Sequence, residues 1–305
     1  MITGRFAPSP SGYLHPGNLL CALLAWLSCR SRGGRFLVRI EDLDPNRCPR
    51  RLSLQALQDL RWLGLTWDEE PLWQSDRTEV YRGALDRLSG AARVYPCFCT
   101  RAELHASFAP NLGDVNPVYS GKCRCLTPEE IRERSRLRRP SLRLQVPDET
   151  IAFSDALQGG YAANLAETCG DFILRRSDGI FAYQLAVVCD DAASGVTEVV
   201  RGRDILPSTP MQIHLCRLLG FPQPAYAHIP LLTDSQGRRL SKRDGDISLS
   251  ALSRRFTRDE IVGMLGFAAG LLPEVRPASP EALLPLFSWE KIPKDEVRLP
   301  FDLAG

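Results

Sequence analysis

The sequence predicts an α/β protein whose helices cover both faces of a doubly wound parallel sheet. Strand and helix patterns alternate at the N-terminus, and the same alternation resumes in the second half of the chain. Sheets of this Rossmann type are built from such repeated strand–helix units, and they bind ligands at the carboxyl ends of their strands. We therefore expect a ligand site at that edge of the sheet.

The first half of the sheet is expected within residues 1–94. Residues 2–7 (ITGRFA) have a strand pattern, a loop rich in proline, serine and glycine follows, and residues 19–27 are apolar at helical spacing. The segment RFLVRI at 35–40 is the second strand. Large apolar residues across residues 53–63 predict an amphipathic helix.

The alternation stops between residues 95 and 165, where cysteines, prolines and basic runs replace it. We interpret this stretch as an insertion between the two halves of the sheet. The second half is expected in residues 166–245, from DFILRR through FAYQLAVVCDDAASG and TEVVRG to a strand at 227–232. Residues 246–305 are expected to form a small helical C-terminal subdomain.

The composition is that of a soluble globular protein, with 44% hydrophobic and 24% charged residues among 305. No apolar run approaches the ~20 residues that a membrane span needs, and the N-terminus lacks a signal-peptide pattern. We expect a cytoplasmic monomer with no membrane partner. The net charge of +2 does not by itself indicate a nucleic-acid binder, and the basic runs at 132–143 and 238–258 suit either a phosphate backbone or a solvated helix face.

Four of the ten cysteines form two C-x-C pairs, whereas the other six are scattered through apolar segments. Cys97 and Cys99 are separated by 23 residues from Cys123 and Cys125. A cytoplasmic chain keeps its thiols reduced, so a disulfide framework is excluded, and four thiolates at this spacing suit one structural Zn²⁺. Four free cysteines in a surface loop are the alternative.

Two short motifs at opposite ends of the α/β region have the residues that phosphate chemistry needs. HPGN at 15–18 precedes a helix N-terminus, where a glycine lets a phosphate approach the backbone and His15 can donate to a phosphate oxygen. RLSKR at 239–243 is a basic loop in which Lys242 can follow a leaving pyrophosphate. Each motif alone also fits an ordinary surface turn or loop, but the pair in this order indicates an enzyme that uses ATP.

Five blocks of the sequence together resemble the catalytic core of the glutamyl-tRNA synthetases, which are class I aminoacyl-tRNA synthetases. The resemblance covers roughly residues 2–250, and the blocks occur in the family's order. The departures are Pro16 and Asn18 in the first motif and Arg239 in the second. The blocks are GRFAPSPSGYLHPGNL, VRIEDLDPNR, YQLAVVCDD, VVRGRDIL and LLTDSQGRRLSKRDG.

The resemblance implies that the chain converts L-glutamate and ATP, with Mg²⁺, into glutamyl-adenylate. A substrate with two carboxylates and an ammonium needs two cationic partners and one anionic partner, which Arg5, Arg201 and Glu41 supply. The glutamate site implied by the family consists of Arg5, Ala7, Ser9, Glu41, Tyr183 and Arg201. The ATP site implied in the same way consists of His15, Gly17, Asn18, Arg239, Ser241 and Lys242, of which His15, Asn18 and Lys242 are the catalytic residues.

The resemblance also bears on the zinc ligands. In the short relatives of the family the insertion contains C-x-C followed by Y-x-x-x-C, which corresponds here to Tyr119 and Cys123. Cys97, Cys99 and Cys123 are therefore common to both interpretations. The fourth ligand stays open between Tyr119 and Cys125.

The acceptor is suggested by the short C-terminal region. The residues after Gly245 are too few for the helical anticodon-reading region of a glutamyl-tRNA synthetase. The chain resembles truncated paralogues that transfer glutamate to queuosine in the anticodon loop of tRNA(Asp), so tRNA(Asp) carrying queuosine is the expected partner. RNA contacts are expected from residues 132–143 or from Arg254, Arg255 and Arg258. The alternatives are charging of a tRNA 3′ end and a small-molecule ligase.

Overall fold

The computed structural model describes residues 1–100, 103, 118–233 and 248–298 of the chain. The strands are β1 (Thr3–Phe6), β2 (Arg35–Ile40), β3 (Leu72–Trp73), β4 (Val94–Cys97), β5 (Ser141–Leu144), β6 (Thr150–Asp155), β7 (Gly159–Asn164), β8 (Phe172–Arg175), β9 (Glu198–Gly202), β10 (Ala225–Ile229), β11 (Leu232–Thr233) and β12 (Val297–Arg298).

The α-helices are numbered in chain order. They are α1 (Pro16–Arg30), α2 (Arg50–Trp62), α3 (Thr78–Ala91), α4 (Pro128–Leu137), α5 (Leu165–Thr168), α6 (Tyr183–Ala193), α7 (Thr209–Leu219), α8 (Leu249–Leu252), α9 (Arg258–Ala268) and α10 (Pro280–Leu283). Short 3₁₀ turns occur at Gln74–Arg77, Arg203–Ser208, Leu284–Leu286 and Trp289–Lys291.

The central sheet has seven strands in the order β3-β2-β1-β9-β10-β6-β7. All neighbouring pairs are parallel except β6 and β7 at the edge. The two halves of the chain meet where β1 pairs with β9, so this is the switch point at which a doubly wound sheet opens a crevice. The predicted α/β class with a doubly wound parallel sheet is confirmed.

Apolar layers cover both faces of this sheet. One core contains α1, α2, α9 and α10, and the other contains α3, α6 and α7. Helix α1 is buried along most of its length because it lies between the sheet and the C-terminal helices α9 and α10, which explains why its sequence is apolar on nearly all sides. In the described ranges, no helix combines the length and the apolar character that crossing a bilayer would require.

A second sheet of three antiparallel strands, β4-β5-β8, lies beside the central one. Strand β8 was expected to resume the central sheet, but it pairs with β5. Strand β6 falls in the predicted insertion, yet it joins β10 in the central sheet. Strand pairing thus crosses the predicted boundaries at 95, 165 and 166, and the division into four regions stays a prediction.

The fully buried carboxylate of Asp190 connects helix α6 to α3 and to the 3₁₀ turn that precedes α3. Its oxygens accept hydrogen bonds from Gln74 Nε2 at 2.8 Å, Arg77 Nε at 2.6 Å and Tyr81 Oη at 2.8 Å. A carboxylate in an apolar helix requires such partners, since an unpaired buried charge is strongly destabilising. This contact orients α6, whose first residue is Tyr183 and whose next carboxylate, Asp191, faces the sheet.

Candidate active site

An open cavity of about 570 Å³ lies at the carboxyl ends of the central strands, beside the β1–β9 switch point. The residues predicted for the glutamate and ATP sites, where the structure describes them, all line this cavity. They are Arg5, Ala7, Ser9, His15, Gly17, Asn18, Glu41, Tyr183 and Arg201. Arg239, Ser241 and Lys242 lie outside the described residues.

Two carboxylates, Asp204 and Glu41, are among the residues that line the cavity, and Glu41 follows directly after β2. Its Oε2 accepts a hydrogen bond from Ser9 Oγ at 3.0 Å, and its Oε1 lies 3.3 Å from Arg39 Nη2. Burial raises the pKa of Glu41 above its ordinary value, and the neighbouring arginines and Ser9 only partly oppose this. A cationic ligand in the cavity would favour the ionised carboxylate.

Arg5 is held by a buried carboxylate that was not predicted from the sequence. Asp191 Oδ1 accepts from Arg5 Nε at 3.2 Å and from Arg39 Nη1 at 2.5 Å, and Arg5 Nη1 also donates to the Val200 carbonyl at 3.2 Å. Burial acts to raise the pKa of Asp191, but Arg39 and Arg5 outweigh it and hold this pKa below its ordinary value. The signal available in the sequence was the pair of aspartates in the otherwise apolar helix α6.

Arg201 is held in a different way, by neutral groups. Its Nη1 donates to Gln212 Oε1 at 2.7 Å and lies 3.4 Å from Tyr183 Oη, while its Nη2 donates to Thr209 Oγ1 at 2.8 Å. Its Nε donates to His228 Nε2 at 3.0 Å. These partners were not predicted from the sequence, although a histidine inside the buried strand β10 was a visible signal.

His15 caps α1 instead of standing in a simple turn. Its Nδ1 accepts from the Gly17 backbone N–H at 3.1 Å, and Asn18 Oδ1 accepts from the His15 backbone N–H at 3.2 Å. In a neutral ring this arrangement puts the proton on Nε2. A Cβ atom at position 17 would lie 3.0 Å from His15 Cε1, so glycine lets the ring sit over the helix N-terminus.

The three cysteines common to both zinc hypotheses form a compact cluster on the three-stranded sheet. The Sγ atoms of Cys97, Cys99 and Cys123 lie within 4.8 Å of one another. Tyr119 Oη is 3.4 Å from Cys97 Sγ and 3.9 Å from Cys99 Sγ, and it accepts from the Cys123 backbone N–H at 2.9 Å. Cys125 is exposed and is not part of this group.

Burial and the neighbouring thiols raise the pKa of Cys99 to about 12. A cation among these sulfurs would reverse that effect, because a metal ion stabilises coordinated thiolates. Tyr119 reaches the cluster through a close backbone contact with Gly170, where φ is +61° and a Cβ atom would lie 2.7 Å from the Tyr119 carbonyl oxygen. The cluster could hold a metal ion.

The chain matches the family model described as tRNA synthetases class I (E and Q), catalytic domain, over residues 1–259. A protein of Symbiobacterium thermophilum named glutamyl-Q tRNA(Asp) synthetase is 49% identical over 98% of this chain and 96% of that protein. A protein of the same name from Nitratidesulfovibrio vulgaris is 46% identical over 99% of this chain and 97% of that protein.

Solved structures give the same fold. Glutamate-tRNA synthetase from Elizabethkingia anophelis superposes with a TM-score of 0.85 at 26% identity, covering 99% of this chain and 69% of that one. A glutamate tRNA ligase from Elizabethkingia meningosepticum, solved in complex with its amino acid, superposes with a TM-score of 0.84 at 26% identity, covering 99% of this chain and 68% of that one.

The Asp191 network predicts a specific dependence of stability on pH. Asp191→Asn leaves two buried guanidiniums without their shared charge, so the free energy of unfolding should fall by about 3 kcal/mol at pH 7. Because the pKa of Asp191 is lower in the folded state than its ordinary 3.8, the wild-type advantage is fully present above that value and is lost as pH falls through the folded-state pKa. Urea unfolding from pH 7 to the lowest pH at which both proteins fold measures the gap.

The matched control is Glu79→Gln, which removes the exposed ion pair with Arg82 and should change the free energy of unfolding by less than about 0.5 kcal/mol. A gap between wild type and Asp191→Asn that stays constant or widens below about pH 4 would contradict the assignment of this charge to the network.

Proposed function

Because the chain belongs to the glutamyl-Q tRNA(Asp) synthetase family, whose members are ligases of the aminoacyl-tRNA synthetase type, we propose that it activates L-glutamate with ATP and transfers it to queuosine in the anticodon loop of tRNA(Asp). The observation that carries this proposal is the cavity at the β1–β9 switch point. It brings together Arg5, Arg201 and the Glu41 carboxylate, in a chain that matches relatives of that name over nearly their full length.

Glutamate recognition follows from the charges that line the cavity. The Glu41 carboxylate holds the substrate ammonium, and Arg5 and Arg201 hold the two substrate carboxylates. Tyr183, within 3.4 Å of Arg201 Nη1, adds a hydroxyl beside the second arginine. Glutamine would leave a buried arginine poorly paired, so discrimination against it should reach about 10⁴-fold.

ATP occupies the part of the cavity next to the N-terminus of α1. The dipole of α1 favours phosphate there, and His15 Nε2–H donates to a phosphate oxygen. The substrate α-carboxylate attacks the α-phosphorus, pyrophosphate leaves and glutamyl-adenylate forms, with no general base because the carboxylate is already a nucleophile. Lys242, Arg239 and Ser241 are proposed to contact the pyrophosphate, and Mg²⁺ supplies further positive charge on the phosphates.

The choice of acceptor is the finer part of the proposal. What supports queuosine is the identity of 46 to 49% to relatives named for that activity, whereas the glutamate-tRNA synthetase structures are 26% identical. Residues 132–143 and Arg254, Arg255 and Arg258 are proposed to contact the RNA. The monomeric state stays a prediction.

The acceptor is tested with labelled glutamate, ATP and Mg²⁺ and two tRNA pools, one from cells that make queuosine and one from cells that cannot. Label should enter only the queuosine pool, and removal of the 3′-terminal adenosine should leave that labelling unchanged. Equal label in both pools that disappears with the terminal adenosine would replace queuosine by the 3′ end. No label in either pool, with glutamate-dependent pyrophosphate exchange intact, would indicate a small-molecule ligase.

Gly17→Ala tests the role of the α1 N-terminus. The added methyl group lies 3.0 Å from His15 Cε1 and displaces the ring, so kcat/KM for ATP should fall by about 10- to 100-fold while KM for glutamate changes little. Pyrophosphate exchange measures both substrates. Gly83→Ala is the control, since that exposed glycine of α3 has no atom within 4 Å of the added carbon, and a Gly17 variant with the same ATP kinetics as this control would refute the role.

We further propose that the cysteine cluster binds one structural Zn²⁺ through Cys97, Cys99, Cys123 and Tyr119. Tetrahedral zinc with thiolates at about 2.3 Å puts sulfurs about 3.8 Å apart. The Cys99–Cys123 separation of 3.6 Å fits this geometry, and Tyr119 Oη already lies beside the sulfurs. The phenol oxygen therefore offers the fourth ligand, with the exposed Cys125 as the competing candidate.

Metal content decides the ligand set. Cys99→Ser should lose the zinc, Tyr119→Phe should bind zinc about 10- to 100-fold more weakly in chelator competition, and Cys125→Ser should retain one ion per chain. Circular dichroism of each variant confirms that the protein remains folded. Loss of zinc from the Cys125 variant with full retention by the Tyr119 variant would reassign the fourth ligand to Cys125.

A further inference from the structure

Two arginines of the cavity differ in how much of their charge is already compensated. Arg5 shares a carboxylate, Asp191, with Arg39. Arg201 is buried, yet within the described ranges it makes no ion pair, and its hydrogen-bond partners are an amide, two hydroxyls and an imidazole. Its positive charge is therefore the less compensated of the two.

The imidazole of His228 has both ring nitrogens engaged. Its Nδ1 lies 2.5 Å from Asp155 Oδ2, and its Nε2 lies 3.0 Å from Arg201 Nε. A guanidinium N–H can only donate, so Nε2 must accept, and the ring proton must reside on Nδ1 and be donated to Asp155. Both side chains are fully buried. The ring also stacks on Tyr226 with a centroid distance of 6.2 Å and an interplanar angle of 19°.

We propose that His228, oriented by Asp155, is a positioning residue that aims the Arg201 guanidinium at a substrate carboxylate while leaving its charge available to that carboxylate. This inference rests on the proposed glutamate activation. It extends that function to a pair of residues that do not line the cavity.

The physical advantage of this arrangement is the neutral ring between the two charges. A carboxylate at the place of Nε2 would orient Arg201 equally well, but it would pair with the guanidinium and compete with the substrate. With the imidazole in between, the Asp155 charge acts on Arg201 over a longer distance, and Coulomb attraction falls with separation. The contacts to Gln212 and Thr209 fix the other two nitrogens, so the guanidinium plane is held from three sides.

Asp155 is a poor site for the test, because its Oδ1 also accepts from the backbone N–H groups of Leu157 and Gln158. Substitution there would disturb the β6–β7 turn as well as the ring. His228 is the informative position. His228→Leu removes the acceptor for Arg201, and His228→Gln keeps an oxygen that can reach the place of Nε2.

The experiment is glutamate-dependent pyrophosphate exchange with wild type and both variants, measured against each substrate in turn. His228→Leu should raise KM for glutamate by about 10- to 100-fold with KM for ATP within about twofold, and His228→Gln should recover most of this loss. His214→Leu is the matched control, a buried histidine of α7 without a contact to Arg201 among the described residues, and it should leave KM for glutamate unchanged.

Each other outcome counts against the inference. Unchanged KM for glutamate in an active His228→Leu enzyme, or a parallel rise of both KM values, would overturn it, the second by showing a general structural defect. If His228→Leu fails to fold, His228→Gln decides: its KM for glutamate must rise more than its KM for ATP, and equal changes of the two KM values would overturn the inference. Wild type without glutamate-dependent exchange would overturn the proposed function, whereas active wild type with insensitive variants overturns only the role of His228.

Discussion

The structure depends on keeping positively charged groups charged inside a buried crevice. Arg5 and Arg39 are almost completely buried, and an isolated cation at such depth would be strongly unfavourable. Asp191 and Glu41 supply the compensating charges, so two cations and two anions alternate in a network that reaches the cavity at Arg5 and Glu41. Its members come from β1, β2 and α6, which meet only because the sheet is doubly wound about β1.

The two arginines of the cavity are stabilised by different kinds of partner. The buried charge of Arg5 is compensated by the Asp191 carboxylate, which Arg5 shares with Arg39. Arg201 must be held in a fixed orientation and still attract an anion. Hydrogen bonds to neutral acceptors achieve both, because they order the guanidinium without neutralising its charge. The two arginines therefore look equivalent in sequence but differ in their electrostatic surroundings.

Much of the fold and of the cavity lining could be predicted from the sequence, because these features are local. The strand–turn–helix order around HPGN predicts β1 and α1, and residues within a short motif, such as His15 and Glu41, lie where the motif ends a strand or begins a helix. The pairing of β8 with β5 and of β6 with β10 could not be predicted, since edge pairing depends on contacts between distant segments.

The partners of the two arginines were missed for the same reason, because Asp191 contacts Arg5 across 186 positions and His228 contacts Arg201 only where β9 and β10 are neighbours. Spacing also could not show that the Tyr119 phenol oxygen lies beside the sulfurs of Cys97 and Cys99 while Cys125 is exposed.

Because Arg5 and Arg39 share the carboxylate of Asp191, the evolution of this pocket depends on the order in which its residues are substituted. A lineage that first replaces Arg5 by a neutral residue leaves Asp191 paired with Arg39 at 2.5 Å, so the intermediate keeps a compensated core. A lineage that first neutralises Asp191 leaves buried Arg5 without its carboxylate partner and Arg39 with Glu41 alone. A change of amino-acid specificity in this scaffold can therefore begin with substitution of Arg5 and continue with substitution of Asp191, but not in the reverse order. The same order applies to directed evolution of the pocket.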